Sequence, residues 1–106
     1  MMYLNDIAEQ AHTLAKQRGL RTDAISSLKH CAGEVVEATE AFTKLFDEVR
    51  PNMVEVRKRD FSLELADVII CALTASYEAG IDIEEAISEA MQKNAQRAYG
   101  GIYEEP

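Results

Sequence analysis

The chain has 106 residues, with 19 acidic against 11 basic side chains, and so carries a formal charge of −8 and a pI near 4.7. That length implies one domain, residues 1–106, with a modest core, and the negative charge argues against a general affinity for nucleic acid or for an anionic membrane. Met1-Met2-Tyr3-Leu4-Asn5-Asp6 has neither the basic stretch nor the long apolar stretch of a secretory signal, so the expectation is a cytoplasmic protein.

The hydrophobic pattern predicts four helices and no strand. The first runs from about Asn5 to Arg18, with Asn5 or Asp6 as N-cap, an apolar face of Ile7, Ala8, Ala11, Leu14 and Ala15, and Gly19 as its stop. The second starts near Thr22 or Asp23 and reaches about Val49, burying Ile25, Leu28, Val35, Ala38, Phe42 and Leu45, and Pro51 closes it. Residues 50–61 read as a loop in which Val54-Glu55-Val56 could extend either neighbour and Arg57-Lys58-Arg59 is solvated. Ser62 then caps a third helix, apolar on nearly every side from Leu63 to Ala79 and ended by Gly80. The fourth opens on a capping box, Asp82 with Glu85, and continues through Ile83, Ala86, Ile87, Ala90 and Met91 toward Ala98. Gly100 and Gly101 terminate it, and Tyr103 to Pro106 read as a loose tail.

Acidic residues recur on two of these helices. Glu34, Glu37 and Glu40 are three apart and share one face of the second; Glu64 and Asp67 begin a narrow polar stripe on the third, continued by Cys71, Thr74 and Glu78. Two carboxylates about 5 Å apart repel by roughly 0.8 kcal/mol in water but by about 3 kcal/mol at an effective dielectric near 20. A solvated row therefore needs no explanation, whereas an inward-facing row needs a cation. Either row alone fits a solvated helix face. On a helix otherwise surrounded by apolar contacts, however, an acidic seam also fits a wet cleft.

An antiparallel hairpin of the second and third helices would bring the rows side by side as a cage for hard divalent cations, which prefer oxygen ligands. The basic end Lys93-Asn94-Ala95-Gln96-Arg97 would then be placed to meet phosphate. A di-iron bundle is disfavoured, because neither His12 nor His30 follows a glutamate at Glu-x-x-His spacing. Cys31 and Cys71 have no Cys-x-x-Cys spacing and read as small buried hydrophobes. A nearly all-apolar third helix in so short a chain calls for cover from a second copy.

The order Glu-x-x-Glu, Glu-x-x-Asp, Asn-x-x-Arg resembles the MazG-type, all-α nucleoside triphosphate pyrophosphohydrolase superfamily. It is carried by Gly33-Glu34-Val35-Val36-Glu37-Ala38-Thr39-Glu40-Ala41-Phe42, Glu64-Leu65-Ala66-Asp67-Val68-Ile69-Ile70, Gly80-Ile81-Asp82-Ile83 and Lys93-Asn94-Ala95-Gln96-Arg97. The resemblance implies a four-helix MazG-like bundle completed by oligomerisation, as a homodimer or homotetramer. It implies hydrolysis of nucleoside triphosphates, whether ordinary, deoxy or modified, to monophosphate and pyrophosphate with Mg²⁺ or Mn²⁺. Glu34, Glu37, Glu64 and Asp67 would be the metal ligands, and Glu40 a further ligand or the base for the attacking water. Lys93, Asn94 and Arg97 would face the triphosphate, with the two cations stabilising charge in the transition state.

One position departs from the family pattern. Members often carry a lysine one turn before the asparagine, and Ala90 stands there, while Lys93 lies next to Asn94 and points elsewhere on the helix. Tyr77, Phe42, Phe46 and His30 are candidates to line a base pocket. A phosphoribosyl-ATP pyrophosphatase-like enzyme of the same superfamily and a non-catalytic helical interaction or regulatory module are the alternatives.

Overall fold

The computed structural model describes residues 3–99, and among these every regular element is an α-helix. The four are α1 (Leu4–Gln17), α2 (Ala24–Asp47), α3 (Pro51–Glu78) and α4 (Ile83–Tyr99). None of them is long and apolar enough to cross a membrane. α2 and α3 pack along each other as a hairpin reversed by residues 48–50, α1 lies on α3, and α4 touches α1 and α3 but not α2 among the described residues.

Several boundaries follow from the chemistry expected of them. Asp23 accepts the Ser26 N–H at 2.9 Å and so caps α2. Gly19 and Gly80 stop α1 and α3 with φ of 76° and 72°, the left-handed conformation that side chains disfavour. Asp82 Oδ1 accepts the Glu85 N–H at 3.1 Å, the N-cap bond of a capping box. The expected stop at Gly100 and Gly101 and the tail from Tyr103 to Pro106 lie outside the described residues.

Three expectations are corrected. α3 begins at Pro51, not Ser62, so the expected loop is helical almost throughout. Proline both ends α2 and starts α3, because its fixed φ and missing N–H suit the first helical position. Ser62 is therefore mid-helix, and its Oγ donates to the Lys58 carbonyl at 2.9 Å. Secondly, Lys58 and Arg59 are exposed as expected but Arg57 is only partly so: it donates to Glu48 at 2.9 Å, and Arg50 reaches the same carboxylate at 2.8 Å. These bonds pin the reversal and explain why α2 ends at Asp47, two residues before Val49. Thirdly, α1 starts after Tyr3 with no side-chain cap. Asn5 instead serves α4: its Oδ1 accepts the Ile83 N–H, its Nδ2 donates to Asp82, and its own N–H donates to Glu84, each at 3.0 Å.

The core is small. Ala8, Ala38, Leu73 and Ala75 are buried, while Ile25, Leu28, Val35 and Phe42 of α2 and Leu63, Leu65, Ile69 and Ile70 of α3 stay exposed. The expected burial of the third helix is thus not met within one chain, since α1 and α2 cover only part of its circumference. The Cα radius of gyration is 16.9 Å, against about 13 Å for a closed domain of this length.

Candidate functional site

The α2–α3 hairpin brings the two acidic rows together. One carboxylate oxygen from each of Glu34, Glu37 and Glu64 lies within 4.8 Å of the others. Helical spacing puts Glu34 and Glu37 on the face of α2 that meets α3, where Glu64 sits opposite. Asp67, one turn along α3, is near enough for its charge to act on Glu64. Burial pushes the Glu64 carboxyl above the usual range, reinforced by the charges of Glu37, Asp67 and Glu34. Glu34 Oε1 and Glu64 Oε1 are buried with no hydrogen-bond partner. Buried oxygens in that condition are costly unless something binds them. An all-oxygen donor set with two orphaned carboxylate oxygens fits a hard divalent cation.

Beside this group lies a cavity of about 700 Å³ between α1, α2 and α3. Ile7, Ala11 and Leu14 form an apolar wall from α1, Glu34 and Asp67 bring carboxylates, and Arg18 and Arg21 bring positive charge. Thr74 and Cys71 also line it, so the polar stripe expected on α3 does face a cleft. Cys71 is half-buried rather than packed in a core, and burial, with the Glu34 charge beside it, pushes its thiol up to about 11. Cys31 is likewise half-buried, and its Sγ donates to the Val68 carbonyl at 3.6 Å.

The last member of that stripe has a different use. Glu78, its side chain 2% exposed, accepts from His12 Nδ1 of α1 at 3.0 Å and from Ser27 Oγ of α2. One carboxylate thus joins three helices at the end of the seam. Tyr77 packs against the His12 ring at 4.8 Å between centroids, away from the cavity lining, and Phe42 pairs with Phe46 and Phe61. Of the four candidates for a base pocket, only His30 lines the cavity.

Glu40 lies on α2 one turn beyond Glu37, exposed and outside the three-carboxylate group. Lys93, Asn94 and Arg97 are exposed on α4 and do not line the cavity. The cations that do line it, Arg18 and Arg21, flank the Gly19 turn and were not singled out from the sequence. Their signal was a pair of arginines around a helix stop, which reads equally as favourable charge near a helix C-terminus.

The family model of the MazG nucleotide pyrophosphohydrolase domain matches residues 23–100, most of the chain. No curated protein and no solved structure matches it.

Proposed function

The chain belongs to the MazG nucleotide pyrophosphohydrolase family, and on that premise we propose that it hydrolyses nucleoside triphosphates, ordinary, deoxy or modified, to monophosphate and pyrophosphate with Mg²⁺ or Mn²⁺. The observation that carries this is the pair of orphaned carboxylate oxygens, on Glu34 and Glu64, beside a cavity of nucleotide size. Glu34, Glu37, Glu64 and Asp67 are the residues that would hold the ions. Such ions supply neutralisation of phosphate oxygens and a lowered pKa for the attacking water.

The protein's own groups do the rest. The apolar wall of α1 takes the nucleoside and keeps water from it, and Arg18 and Arg21 add positive charge to the same cavity. Glu40, one turn past the carboxylate group, is proposed as a further ligand or as the base that takes the water proton. Lys93, Asn94 and Arg97 are proposed to meet the part of the triphosphate that extends out of the cavity. In support, both cations are exposed and neither is in an ion pair among the described residues. The working unit is proposed to be a cytoplasmic homodimer or homotetramer.

Purified protein incubated with Mg²⁺ and a panel of triphosphates tests the reading. Pyrophosphate and monophosphate are the expected products, and Glu37→Gln removes most turnover while leaving the helical circular dichroism intact. Release of orthophosphate would put the cut at another bond. No turnover of any triphosphate would favour a binding module, with Ala90 as the first suspect for lost activity.

A further inference from the structure

A second group of donors differs in kind from the carboxylates. His30 and Glu34 stand one turn apart on α2, with Nε2 and Oε2 2.9 Å from each other. Cys71 comes from α3, and one ligand atom of each of the three residues lies within 4.8 Å of the other two. All three residues line the 700 Å³ cavity, which gives an ion access. Glu34 also has a buried oxygen with no hydrogen-bond partner. Cys31, in contrast, points its sulfur at the Val68 carbonyl and is not in the group.

We propose that His30, Glu34 and Cys71 form a binding site for a soft or borderline divalent ion such as Zn²⁺, separate in chemistry from the all-oxygen carboxylate group. Imidazole nitrogen and thiolate sulfur select zinc-like ions over Mg²⁺, whose preference is oxygen. Ligand atoms around tetrahedral zinc at about 2.0–2.3 Å lie roughly 3.3–3.8 Å apart. To reach that spacing the His30–Glu34 pair, at 2.9 Å, opens slightly and the Cys71 sulfur, within 4.8 Å of both, draws in, a shift that the 54% exposed His30 side chain permits. Three protein ligands leave the fourth position toward the cavity, the pattern of an open zinc site. On binding, the sulfur takes the ion and its proton passes to solvent.

Glu34 belongs to both groups, so an ion held by His30 and Cys71 competes with Mg²⁺ for that carboxylate. That consequence, inhibition of the proposed activity by Zn²⁺, rests on the functional reading above. The binding itself does not.

Cobalt is the probe that separates the two. Co²⁺ added to the full chain should produce a near-ultraviolet thiolate-to-cobalt charge-transfer band, and Zn²⁺ should erase it. The band should vanish in Cys71→Ser and persist in Cys31→Ser. It should persist also in Glu64→Gln, which disrupts only the all-oxygen group. Zn²⁺ affinity, measured by calorimetry, should fall at least about 100-fold in Cys71→Ser and in the exposed-site variant His30→Ala. Absence of a band in the wild-type chain, its survival in Cys71→Ser or its loss in Cys31→Ser would each overturn the site. A band in a protein with no pyrophosphohydrolase activity would uphold the site and count against the activity alone.

Discussion

Glu64 on α3 and Glu37 on α2 bring carboxylate oxygens within 4.8 Å of each other, and the Glu64 pKa is raised by burial and by the charges of Glu37, Asp67 and Glu34. Between its ordinary value of 4.5 and the raised one, the folded protein holds a proton that the unfolded chain has lost. Stability in the absence of metal therefore falls as pH rises through that window.

Two consequences can be measured together by thermal melts. In EDTA at neutral pH, Glu64→Gln should melt higher than the wild type and with less dependence on pH, because the neutral amide removes the repulsion. Mg²⁺ or Mn²⁺ should raise the wild-type melting point by linkage, the added stability being about 2.7 kcal/mol at one hundred times the Kd. The gain should shrink in Glu37→Gln and in Asp67→Asn. Equal melting in EDTA and in millimolar Mg²⁺ would remove the case for an inward-facing cage.

Acid should act through Glu48. Hydrogen bonds from Arg50 and Arg57 hold its pKa down at about 2, below the ordinary 4.5. A depressed carboxylate contributes stability that is complete above pH 4.5 and is lost as pH falls through about 2. Urea midpoints at pH 7 and pH 3 should show Glu48→Gln weaker than wild type at neutrality and less sensitive to the drop. An unchanged pH dependence would mean that the α2–α3 reversal is held by other contacts.

Glu78 should matter more to stability than to metal binding. Its buried carboxylate joins α1 and α2 to α3 through His12 and Ser27. Glu78→Ala, which removes both hydrogen bonds to the carboxylate, should cost about 3 kcal/mol, and Ser27→Ala, which removes one of them, about 1.5 kcal/mol. Urea denaturation followed by circular dichroism gives both values. Similar costs for the two variants would show that the carboxylate is not the centre of the joint.

The exposed apolar faces predict self-association. The chain exposes 7944 Å², against about 5,900 Å² expected of a monomer of its mass. The difference is of the size an obligate interface removes. Sedimentation equilibrium at micromolar concentration should find a dimer or tetramer, and Ile69→Glu should shift it toward monomer. A stable, monodisperse monomer would leave the exposed faces of α2 and α3 without that explanation.

What the sequence determined by itself was periodic or local. Helical spacing alone placed Glu34 with Glu37 and Glu64 with Asp67, and local chemistry identified the Asp23 and Asp82 caps and the stops at Gly19 and Gly80. The family was legible because its motif is an order of short helical patterns. Pro51 misled because one residue can both end a helix and begin the next, and only the Glu48 contacts with Arg50 and Arg57 select that outcome. Tertiary structure alone decided which groups meet across helices. Arg18 and Arg21 reach the cavity through the path of the α1–α2 turn, and Asn5 serves a helix almost eighty residues away. Cys71 joins His30 and Glu34 only because α3 packs on α2, a contact between residues some forty positions apart that no spacing within one helix encodes.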